Sequence, residues 1–203
     1  MARIPYFDLA QAPEGFQRLL SDRPPLNIYR MVAHGGPTGE GFLGLGSAIL
    51  RRSSLPAPLR ELVILRVGAL CGSAYEVFQH RRVAAQAGVP AAQIEAVLSA
   101  TDGEAPAEAF DPLAQQVLRF TDAVVRQVKA PADCFDALSA QLSHQQLMEI
   151  VMTIGYYMLV CRVLENFEVD IEDKDPLAGF AQWSGVLGTQ AAGAANTAQG
   201  DKS

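Results

Sequence analysis

Apolar residues recur at helical spacing along this chain, and one segment is apolar on every side. Between Pro58 and Cys71, leucine, valine, isoleucine and alanine occupy positions all round a helical wheel. A helix without a polar face is a buried one, because any face turned to water would expose apolar surface. The pattern therefore predicts a helix over residues 58–71 at the centre of the fold.

Further helices are predicted on both sides of this segment, each bounded by proline, glycine or a polar cap. Ser143 and Gln146 have the spacing of a capping box and are predicted to open the longest helix, over residues 143–168. The acidic residues that follow predict fraying of its last turn, since negative charge there opposes the helix dipole. The other predicted helices cover residues 14–20, 27–34, 38–52, 73–87, 90–99, 111–129 and 131–141.

These helices predict an all-α fold. Ala and Leu, which favour helices, far outnumber Val, Ile and Thr, and neither an alternating strand pattern nor an Asn-Gly hairpin signal occurs. Gly41, Gly44 and Gly46 weaken the helix over residues 38–52 by about 1 kcal/mol each relative to alanine. They would alternatively let a neighbouring helix approach closely.

The predicted helices belong to one helical domain with an extension at each end. Residues 1–25 are predicted to form an arm interrupted by four prolines, and residues 26–176 are predicted to form the helical domain. Residues 177–203, rich in Gly, Ala, Ser, Thr and Gln, are expected to form a flexible tail. Within the domain, residues 101–109 are predicted to form a polar loop. The two helix-rich halves on either side of this loop are expected to pack into one bundle.

Composition narrows the class of protein. Hydrophobic residues make up 49% and charged residues 19%, which excludes wholesale disorder. The formal net charge of −6 argues against a broad nucleic-acid surface. The three cysteines lack C-x-x-C spacing, so neither a zinc site nor a redox pair is expected from them. With no signal-peptide pattern and every long apolar window broken by charge, we expect a soluble cytoplasmic protein without a metal.

The candidate chemistry lies in one stretch, RELVILRVGALCGSAYEVFQHRRVAAQAG, at residues 60–88. Glu76 and His80 are four residues apart on a predicted helix and share a face, with Ser73 three residues earlier. A carboxylate beside an imidazole can orient the ring and raise its basicity, so that the pair moves a proton near neutral pH. Glu61, on the preceding buried helix, would have a raised pKa in apolar surroundings and could act as an acid or base.

Each of these residues also has a purely structural interpretation. Glu and His fall four residues apart by chance in many helices, and Glu61 in a first helical turn would compensate the helix dipole. Arg66 and Arg162 lie in apolar helices, where a buried guanidinium needs an anionic partner. Either they pair with a carboxylate among Glu61, Glu76 and Glu165, or they clamp the carboxylate of a substrate.

The same stretch, followed by RRVAAQAGVPAAQIEAVL, resembles the carboxymuconolactone decarboxylase family, which includes the AhpD-like alkylhydroperoxidases. Flanking segments such as LNIYRMVAHGG and LMEIVMTIGYYMLVCRVLENFEV extend the resemblance over about residues 26–172. The resemblance implies an all-α AhpD-like bundle that assembles as a homodimer, trimer or hexamer. It also implies a cofactor-free enzyme with a small-molecule substrate and no nucleic-acid or membrane partner.

Within that family, the AhpD-like peroxidases carry C-x-x-C-x-x-x-H with a glutamate on the preceding helix. On this chain the histidine falls on His80, the upstream glutamate on Glu61, and the two cysteines on Ser73 and Glu76. Cys71 lies two residues before the first cysteine position, about 200° round a helix. The chain therefore resembles longer members that lack the cysteine pair.

The decarboxylase-type branch has Glu-x-x-x-His, which YEVFQH matches at Glu76 and His80. The resemblance implies that these two residues handle a proton with support from Glu61, on a small carboxylated lactone or a related intermediate of aromatic catabolism. The substrate-binding candidates on this interpretation are Arg66, Ser73, Tyr157 and Arg162. Two alternatives stay open: an AhpD-like peroxidase that uses Cys71 with an external thiol, and a non-catalytic helical assembly module.

Overall fold

In the computed structural model, residues 1–99 and 107–172 are described, and their regular structure is entirely helical. Nine α-helices occur in these residues. Their bounds are Glu14–Leu20 (α1), Asn27–Val32 (α2), Pro37–Arg52 (α3), Ala57–Leu70 (α4), Ala74–Gln86 (α5), Ala91–Ser99 (α6), Pro112–Gln127 (α7), Ala132–Ser139 (α8) and His144–Asn166 (α9). The predicted all-α class is confirmed, and the helix bounds agree with the sequence-based expectation to within about two residues.

The helix starts follow from local chemistry. Proline occupies the first turn of α3, α4 and α7, where its missing N–H costs nothing. The Asp111 side chain accepts a hydrogen bond from the backbone N–H of Ala114 and caps α7. Ser143 and Gln146 form the predicted capping box at the start of α9. These caps satisfy backbone donors that a helix start otherwise leaves unpaired.

Helix α4 lies at the centre of the bundle, as predicted. It packs against α5, α6, α7 and α9, and its apolar side chains are buried on all sides. Val63, Ile64, Leu65 and Val67 are completely shielded from solvent. Burying a side chain of this size contributes roughly 1.5–3 kcal/mol each, so α4 is the main source of the core that holds the surrounding helices in place.

Helix α9 is long and apolar enough to cross a membrane by length and composition. Half of that apolar window is buried inside the bundle, as in a core helix of a soluble protein. Its outward side nevertheless carries a line of exposed apolar side chains at helical spacing, which we call the α9 stripe: Met148, Val151, Met152 and Leu159.

The glycines of α3 differ in what surrounds them. A Cβ atom at Gly46 would lie 2.3 Å from the Tyr156 hydroxyl on α9, whereas Gly41 and Gly44 have open space at that position. The close approach of a neighbouring helix, expected as one interpretation of these glycines, therefore occurs at Gly46. This contact brings the Tyr156 side chain directly against the backbone of α3.

The two ends of the described chain are tied together. The Phe16 ring of the arm is almost completely buried in the core. The backbone N–H of Arg3 donates to the Phe167 carbonyl, and the Ala2 N–H donates to the Asp170 carboxylate. Residues 167–172 after α9 are thus held by hydrogen bonds, where the acidic composition had predicted fraying. The predicted tail over residues 177–203 lies outside the described residues, and the domain boundaries stay a prediction.

Candidate functional site

The candidate site is built by the hairpin of α4 and α5. Gly72 adopts φ +66° between the two helices, a conformation that favours glycine, and lets the chain reverse there. Gly68 lies against the side chains of Val77 and Glu76, so the helices approach closely. As a result, Glu61 on α4 and the Glu76 and His80 pair on α5 face one another.

The three predicted catalytic side chains lie in one line of close polar contacts. Nδ1 of His80 lies 2.7 Å from Oε2 of Glu61, and Nε2 of His80 lies 3.1 Å from Oε1 of Glu76. All three residues are buried, Glu61 completely. The guanidinium of Arg60 donates to the other oxygen of Glu61, at 3.3 Å. The structure therefore brings together all three residues that the sequence placed in the proton-transfer role.

The geometry assigns the two glutamates different tasks. Glu61 accepts hydrogen bonds at both oxygens, one from Arg60 and one from the Nδ1–H of His80, so it orients the imidazole ring. Nε2 is then the ring nitrogen that faces Glu76. The contact between Nε2 and Glu76 lacks the alignment of a hydrogen bond, and Glu76 Oε1 has no other partner among the described residues. Sequence reasoning had given the orienting role to Glu76, whereas Glu61 is better placed for it.

Burial changes the proton affinities of this pair. Desolvation raises the pKa of Glu76 to about 7, with a further increase from Glu61 and a decrease from His80. Burial lowers the pKa of His80, but the charges of Glu61 and Glu76 and the hydrogen bond that the ring donates to Glu61 outweigh this effect, so the net pKa is raised. Glu76 thus titrates near neutral pH beside an imidazole of increased basicity, and a proton can pass between Nε2 and the Glu76 carboxyl.

These shifts predict that the stability of the fold depends on pH. In Glu76→Gln, part of this pH dependence should be lost. Because the folded protein holds a proton on Glu76 up to pH of about 7 and the unfolded chain only up to about 4.5, stability falls as pH rises through this interval. His80 acts in the same direction, because its pKa is higher in the folded protein than in the unfolded chain. Protonation of His80 therefore stabilises the fold at pH values below the unfolded pKa, and this stabilisation is lost as the pH rises through the folded pKa. The pKa shift of Glu76 changes the free energy of unfolding by at most about 3 kcal/mol over this pH interval.

Urea unfolding of wild type and Glu76→Gln at pH 5, 6, 7 and 8 measures this effect. We expect a shallower decline in the free energy of unfolding for the variant. Glu95→Gln is the matched control, because Glu95 is exposed and pairs with Arg81 on the surface. Parallel pH profiles for wild type and Glu76→Gln would show that Glu76 does not titrate near neutrality.

Glu76 and His80 open into a cavity of about 70 Å³. That is enough space for several water molecules or part of a small organic molecule. The lining is largely apolar and aromatic, with a few polar groups, which is typical of small-molecule sites. The lining residues come from α2, α3, α5 and α9 and from the segment before α2. They are Arg23, Leu26, Ile28, Tyr29, Phe42, Gly46, Leu50, Tyr75, Glu76, Gln79, His80, Val83, Tyr156, Tyr157 and Val160.

Four tyrosines of this cavity are held as neutral phenols. Burial raises the pKa of Tyr29, Tyr75, Tyr156 and Tyr157, in the last case well above its ordinary value. The Tyr157 ring meets the His80 ring edge to face, with centroids 5.0 Å apart. The cavity therefore combines a titrating pair with hydroxyl groups that can donate hydrogen bonds without becoming charged.

One of the four predicted substrate-binding residues lies in the cavity wall. Tyr157 lines it directly. Ser73 is the N-cap residue of α5 and is almost completely buried, and its hydroxyl makes no hydrogen bond within the described residues. It does not line the cavity.

The other two candidates, both arginines, lie elsewhere. Arg66 on α4 is completely buried and donates from Nε and Nη2 to the two Asp122 oxygens, at 2.5 and 2.6 Å, and from Nη1 to the Val97 carbonyl. It has the carboxylate partner that a buried guanidinium needs, although this partner was not among those expected. Arg162 is exposed and donates to the backbone carbonyl of Met158. The expectation that either arginine clamps a substrate is corrected accordingly.

Sequence reasoning missed several residues that the structure brings to the site. Arg60 was passed over, yet it holds Glu61. Arg23 lies in the arm, far from the motif in sequence, but lines the cavity. Its position beside Pro24 and Pro25 gave no periodic signal. Only the tertiary fold brings Arg23 next to Tyr29, whose ring lies 5.5 Å from the guanidinium carbon.

Within the described residues, no group of three or more His, Cys, Asp or Glu side chains is arranged to hold a metal ion. The Glu61 carboxylate contacts Arg60 with one oxygen and His80 with the other.

Known proteins resemble this chain in part of its sequence and in its fold. A model of the carboxymuconolactone decarboxylase family matches residues 37–123, the segment that contains Glu61, Glu76 and His80. A peroxidase-related protein of Ralstonia eutropha JMP134 with an alkylhydroperoxidase AhpD core has the same fold, with a TM-score of 0.72 at 18% identity over 88% of this chain and 96% of that one. Over these residues the chain is similar to the carboxymuconolactone decarboxylase family, and its fold is similar to that of the AhpD-core protein.

Two further solved structures have a similar fold. A protein of unknown function from Agrobacterium tumefaciens, which carries the name of the antioxidant defence protein AhpD, has a TM-score of 0.61 at 21% identity, covering 70% of this chain and 96% of that one. The debrominase Bmp8, as a variant bound to 2,3,4-tribromopyrrole, has a TM-score of 0.67 at 17% identity, covering 85% and 95%. A search of curated proteins found no match.

The cysteines of this chain are arranged differently from the C-x-x-C pair of AhpD-like peroxidases. Cys71 ends α4 and is partly exposed, while Cys161 on α9 is buried. A hydrogen bond from the Cys161 thiol, with a smaller effect of Arg162, lowers the pKa of Cys71 to about 7 against the opposing effects of burial and Glu165. Sequence reasoning treated Cys71 as isolated, because 90 positions separate it from Cys161.

Proposed function

We propose that this chain is a cofactor-free enzyme that decarboxylates a small carboxylated lactone or a related intermediate of aromatic catabolism. The observation that carries the proposal is the buried line from Glu61 through His80 to Glu76, which ends in a cavity of about 70 Å³. The match of residues 37–123 to the carboxymuconolactone decarboxylase family supports this choice of reaction. A cytoplasmic location is part of the same proposal.

The chemistry needs one proton at one position. The bond between the substrate carbon and its carboxylate breaks, CO₂ leaves, and the electron pair stays on the substrate, where the lactone carbonyl delocalises it. The proton shared by His80 Nε2 and Glu76 is then delivered to that carbon. Glu61 keeps the ring oriented and stabilises the imidazolium before transfer. The net change is exchange of a carboxylate for hydrogen plus CO₂.

Burial supports this role, because proton donation near neutral pH requires a donor whose pKa is close to that pH. Glu76, with a pKa of about 7, and His80, with a raised pKa, meet this condition. The aromatic walls exclude water from the carbanion, while the neutral tyrosine hydroxyls offer hydrogen bonds to a carbonyl or carboxylate.

The test is turnover in D₂O of a small panel of lactones, each bearing a carboxylate next to the ring oxygen. We expect release of CO₂ with one deuterium at the carbon that lost the carboxylate, detected by NMR. Matched methyl esters are the control substrates, because an ester group cannot leave as CO₂. If the protein leaves every carboxylated lactone of the panel unchanged, or if CO₂ appears without deuterium at that carbon, the proposed reaction is wrong.

A second candidate, peroxide reduction, is favoured by the pairing of Cys71 with Cys161. In this reaction the Cys71 thiolate attacks a hydroperoxide, releasing an alcohol and leaving a sulfenic acid. The Cys161 thiol then condenses with it to form a disulfide and water, and an external dithiol reduces the disulfide again. Neighbours of the same fold include both an AhpD-named protein and a debrominase, so the fold alone does not select between the chemistries.

Cysteine variants separate the two candidates. On the peroxidase hypothesis, Cys71→Ser abolishes consumption of organic hydroperoxide, and Cys161→Ser accumulates a sulfenic acid that dimedone traps. Cys134→Ser is the control, since Cys134 is buried on α8, away from this pair. If wild type and Cys71→Ser consume hydroperoxide at the same rate, this candidate is eliminated while the decarboxylase proposal is unaffected.

The third hypothesis, a non-catalytic assembly module, predicts that Glu76 and His80 point to solvent without an enclosed cavity. Both are buried and line a cavity, so the geometry favours an enzyme. Homo-oligomeric assembly stays part of the proposal, and the α9 stripe supports it, because exposed apolar residues at helical spacing suit burial against a second helix. A monomeric mass by sedimentation velocity at micromolar concentration would contradict this assembly.

A further inference from the structure

One face of α3 forms part of the cavity wall, and its middle position has no side chain. Phe42, Gly46 and Leu50 follow one another at four-residue spacing along α3, and all three line the cavity. The end of the Tyr156 side chain, from α9, lies against Gly46. A Cβ atom at position 46 would be 2.3 Å from the Tyr156 hydroxyl oxygen and 2.9 Å from the ring carbon Cζ. Alanine therefore fits at position 46 only if Tyr156 moves.

The neighbours of the Tyr156 ring leave the cavity as its open side. The Phe42 ring lies 4.9 Å away and the Tyr157 ring 5.2 Å away, measured between centroids, so both are in aromatic contact with it. To restore ordinary van der Waals contact with a side chain at position 46, the hydroxyl oxygen would have to retreat by about 1 Å. Because the phenol is rigid, the whole ring would shift, and the free space lies in the cavity that it lines.

Other glycines of α3 show that this contact is specific to one position. Nothing lies within 4 Å of a Cβ atom placed at Gly41 or at Gly44. Glycine is among the least favourable residues inside a helix, so each of the three lowers the intrinsic stability of α3. Only at Gly46 does the missing side chain make room for Tyr156.

The space that Tyr156 leaves free adjoins the proton-transfer pair. The Tyr156 ring contacts Tyr157, whose ring meets His80 edge to face, with centroids 5.0 Å apart. Burial raises the pKa of Tyr156, with a further increase from Tyr29 and Glu76, which places Glu76 near the phenol. Oε1 of Glu76 is buried and makes no hydrogen bond within the described residues. A molecule in this space would therefore have a polar group to contact.

We infer that Gly46 is a specificity-determining residue of the cavity. Because it has no side chain, the Tyr156 phenol stays against α3 and leaves space for one small ring beside Glu76. The same phenol is the boundary of that space, so a second fused ring is excluded. The ligand class is an uncharged small ring with a carbonyl oxygen, which the neutral tyrosine hydroxyls can hold by hydrogen bonds. The inference rests on the proposed function only for the identity of the ring as a lactone.

A binding experiment tests Gly46 without requiring turnover. The probes are cyclopentanone and 1-indanone, in which the same ring is fused to benzene, and they are titrated by NMR. Shifts of the His80 ring signals, identified by their loss in His80→Asn, report binding in this cavity. We expect Gly46→Ala to weaken cyclopentanone binding by about tenfold or more. The matched control is Gly44→Ala, which makes the same change in the same helix away from any neighbour and should bind cyclopentanone like wild type.

Variants of Tyr156 test the other half of the contact. Tyr156→Leu keeps an apolar side chain but removes the phenol, so it should bind 1-indanone about tenfold more tightly than wild type does. Adding Gly46→Ala to Tyr156→Leu should have little further effect on either probe, because the ring that obstructs alanine is gone. Circular dichroism shows whether each variant keeps the helical fold. If Gly46→Ala alone fails to fold, recovery of the fold in the double variant identifies the same contact.

Three results would overturn the inference. They are equal cyclopentanone affinity in Gly46→Ala and Gly44→Ala, equal 1-indanone affinity in wild type and Tyr156→Leu, and wild-type His80 signals that do not respond to cyclopentanone.

Turnover data then distinguish this inference from the proposed function. If carboxylated lactones are substrates, Gly46→Ala should raise KM by about tenfold or more, whereas Gly44→Ala should leave it unchanged. Absence of turnover together with Gly46-dependent cyclopentanone binding would refute the decarboxylase while supporting the role of Gly46. Turnover with an unchanged KM in Gly46→Ala would support the decarboxylase and refute that role.

Discussion

Replacing His80 with asparagine is expected to lower kcat/KM for decarboxylation by a factor of about 10²–10⁴. His80 is the residue that connects Glu61 to Glu76, with its two ring nitrogens 2.7 and 3.1 Å from their oxygens. An asparagine side chain can still accept and donate hydrogen bonds but has no titrating proton. The loss should fall mainly on kcat, since a proton donor acts in the transition state while contributing little to substrate binding.

His144→Asn is the matched control, because His144 begins α9 at an exposed position away from the cavity. The two variants should have the same helical content by circular dichroism, so that lost activity in His80→Asn reports chemistry rather than folding. Steady-state CO₂ release across a range of substrate concentrations separates kcat from KM. Should His80→Asn retain the wild-type kcat, the proton would have to come from another group, and Glu76 acting alone would be the next to test.

Removing the carboxylate of Asp122 is expected to cost about 3–5 kcal/mol of folding free energy. Asp122 on α7 is the partner of the completely buried Arg66 on α4, with contacts of 2.5 and 2.6 Å. In Asp122→Ala the guanidinium keeps its charge inside the core but loses both oxygens. Because the net stability of a domain is typically only about 5–15 kcal/mol, this one change should be visible as a large shift of the urea midpoint.

The exposed pair between Arg119 and Asp133 provides the control. Its atoms are 3.3 Å apart and both side chains are mostly in solvent, so Asp133→Ala should cost at most about 1 kcal/mol. A double variant, Arg66→Met with Asp122→Leu, should recover much of the loss, because it removes the charge together with its partner. Equal destabilisation by Asp122→Ala and Asp133→Ala would mean that the buried pair is not an important structural contact.

The same variants distinguish a structural Arg66 from a substrate clamp. If Arg66 acts only within the bundle, the folded double variant should keep the KM of wild type. A large increase in KM without loss of stability would instead return Arg66 to the binding site. The structure favours the first outcome, since Arg66 is shielded from solvent and does not line the cavity.

The helices and the proton-transfer residues were predictable because their signals are local. Helix α4 is apolar on all sides, which predicts a buried position at the centre of the bundle. The capping box predicts the start of α9. Glu76 and His80 share a helix, so four-residue spacing was sufficient to pair them. Glu61 was placed beside them by the family resemblance, which implies that α4 packs against α5.

The partners of the arginines and cysteines were not predictable, because they depend on contacts between distant segments. Arg66 was expected to pair with Glu61, Glu76 or Glu165, but α7 supplies Asp122 from 56 positions away. Cys161 approaches Cys71 only because α9 packs against α4. The burial of an arginine could not be predicted from its apolar sequence neighbours, since Arg162 lies in an apolar helix but is exposed.

The cavity wall combines two parts of the sequence. Glu61, Glu76 and His80 all lie within residues 37–123, the part that matches the family model, whereas Arg23, Tyr29 and Tyr156 come from outside it. On the proposed function, evolution can therefore exchange the outer parts of the cavity wall while the proton-transfer residues are left in place. For protein engineering, grafting the arm and the second half of α9 from a relative is a direct route to new selectivity.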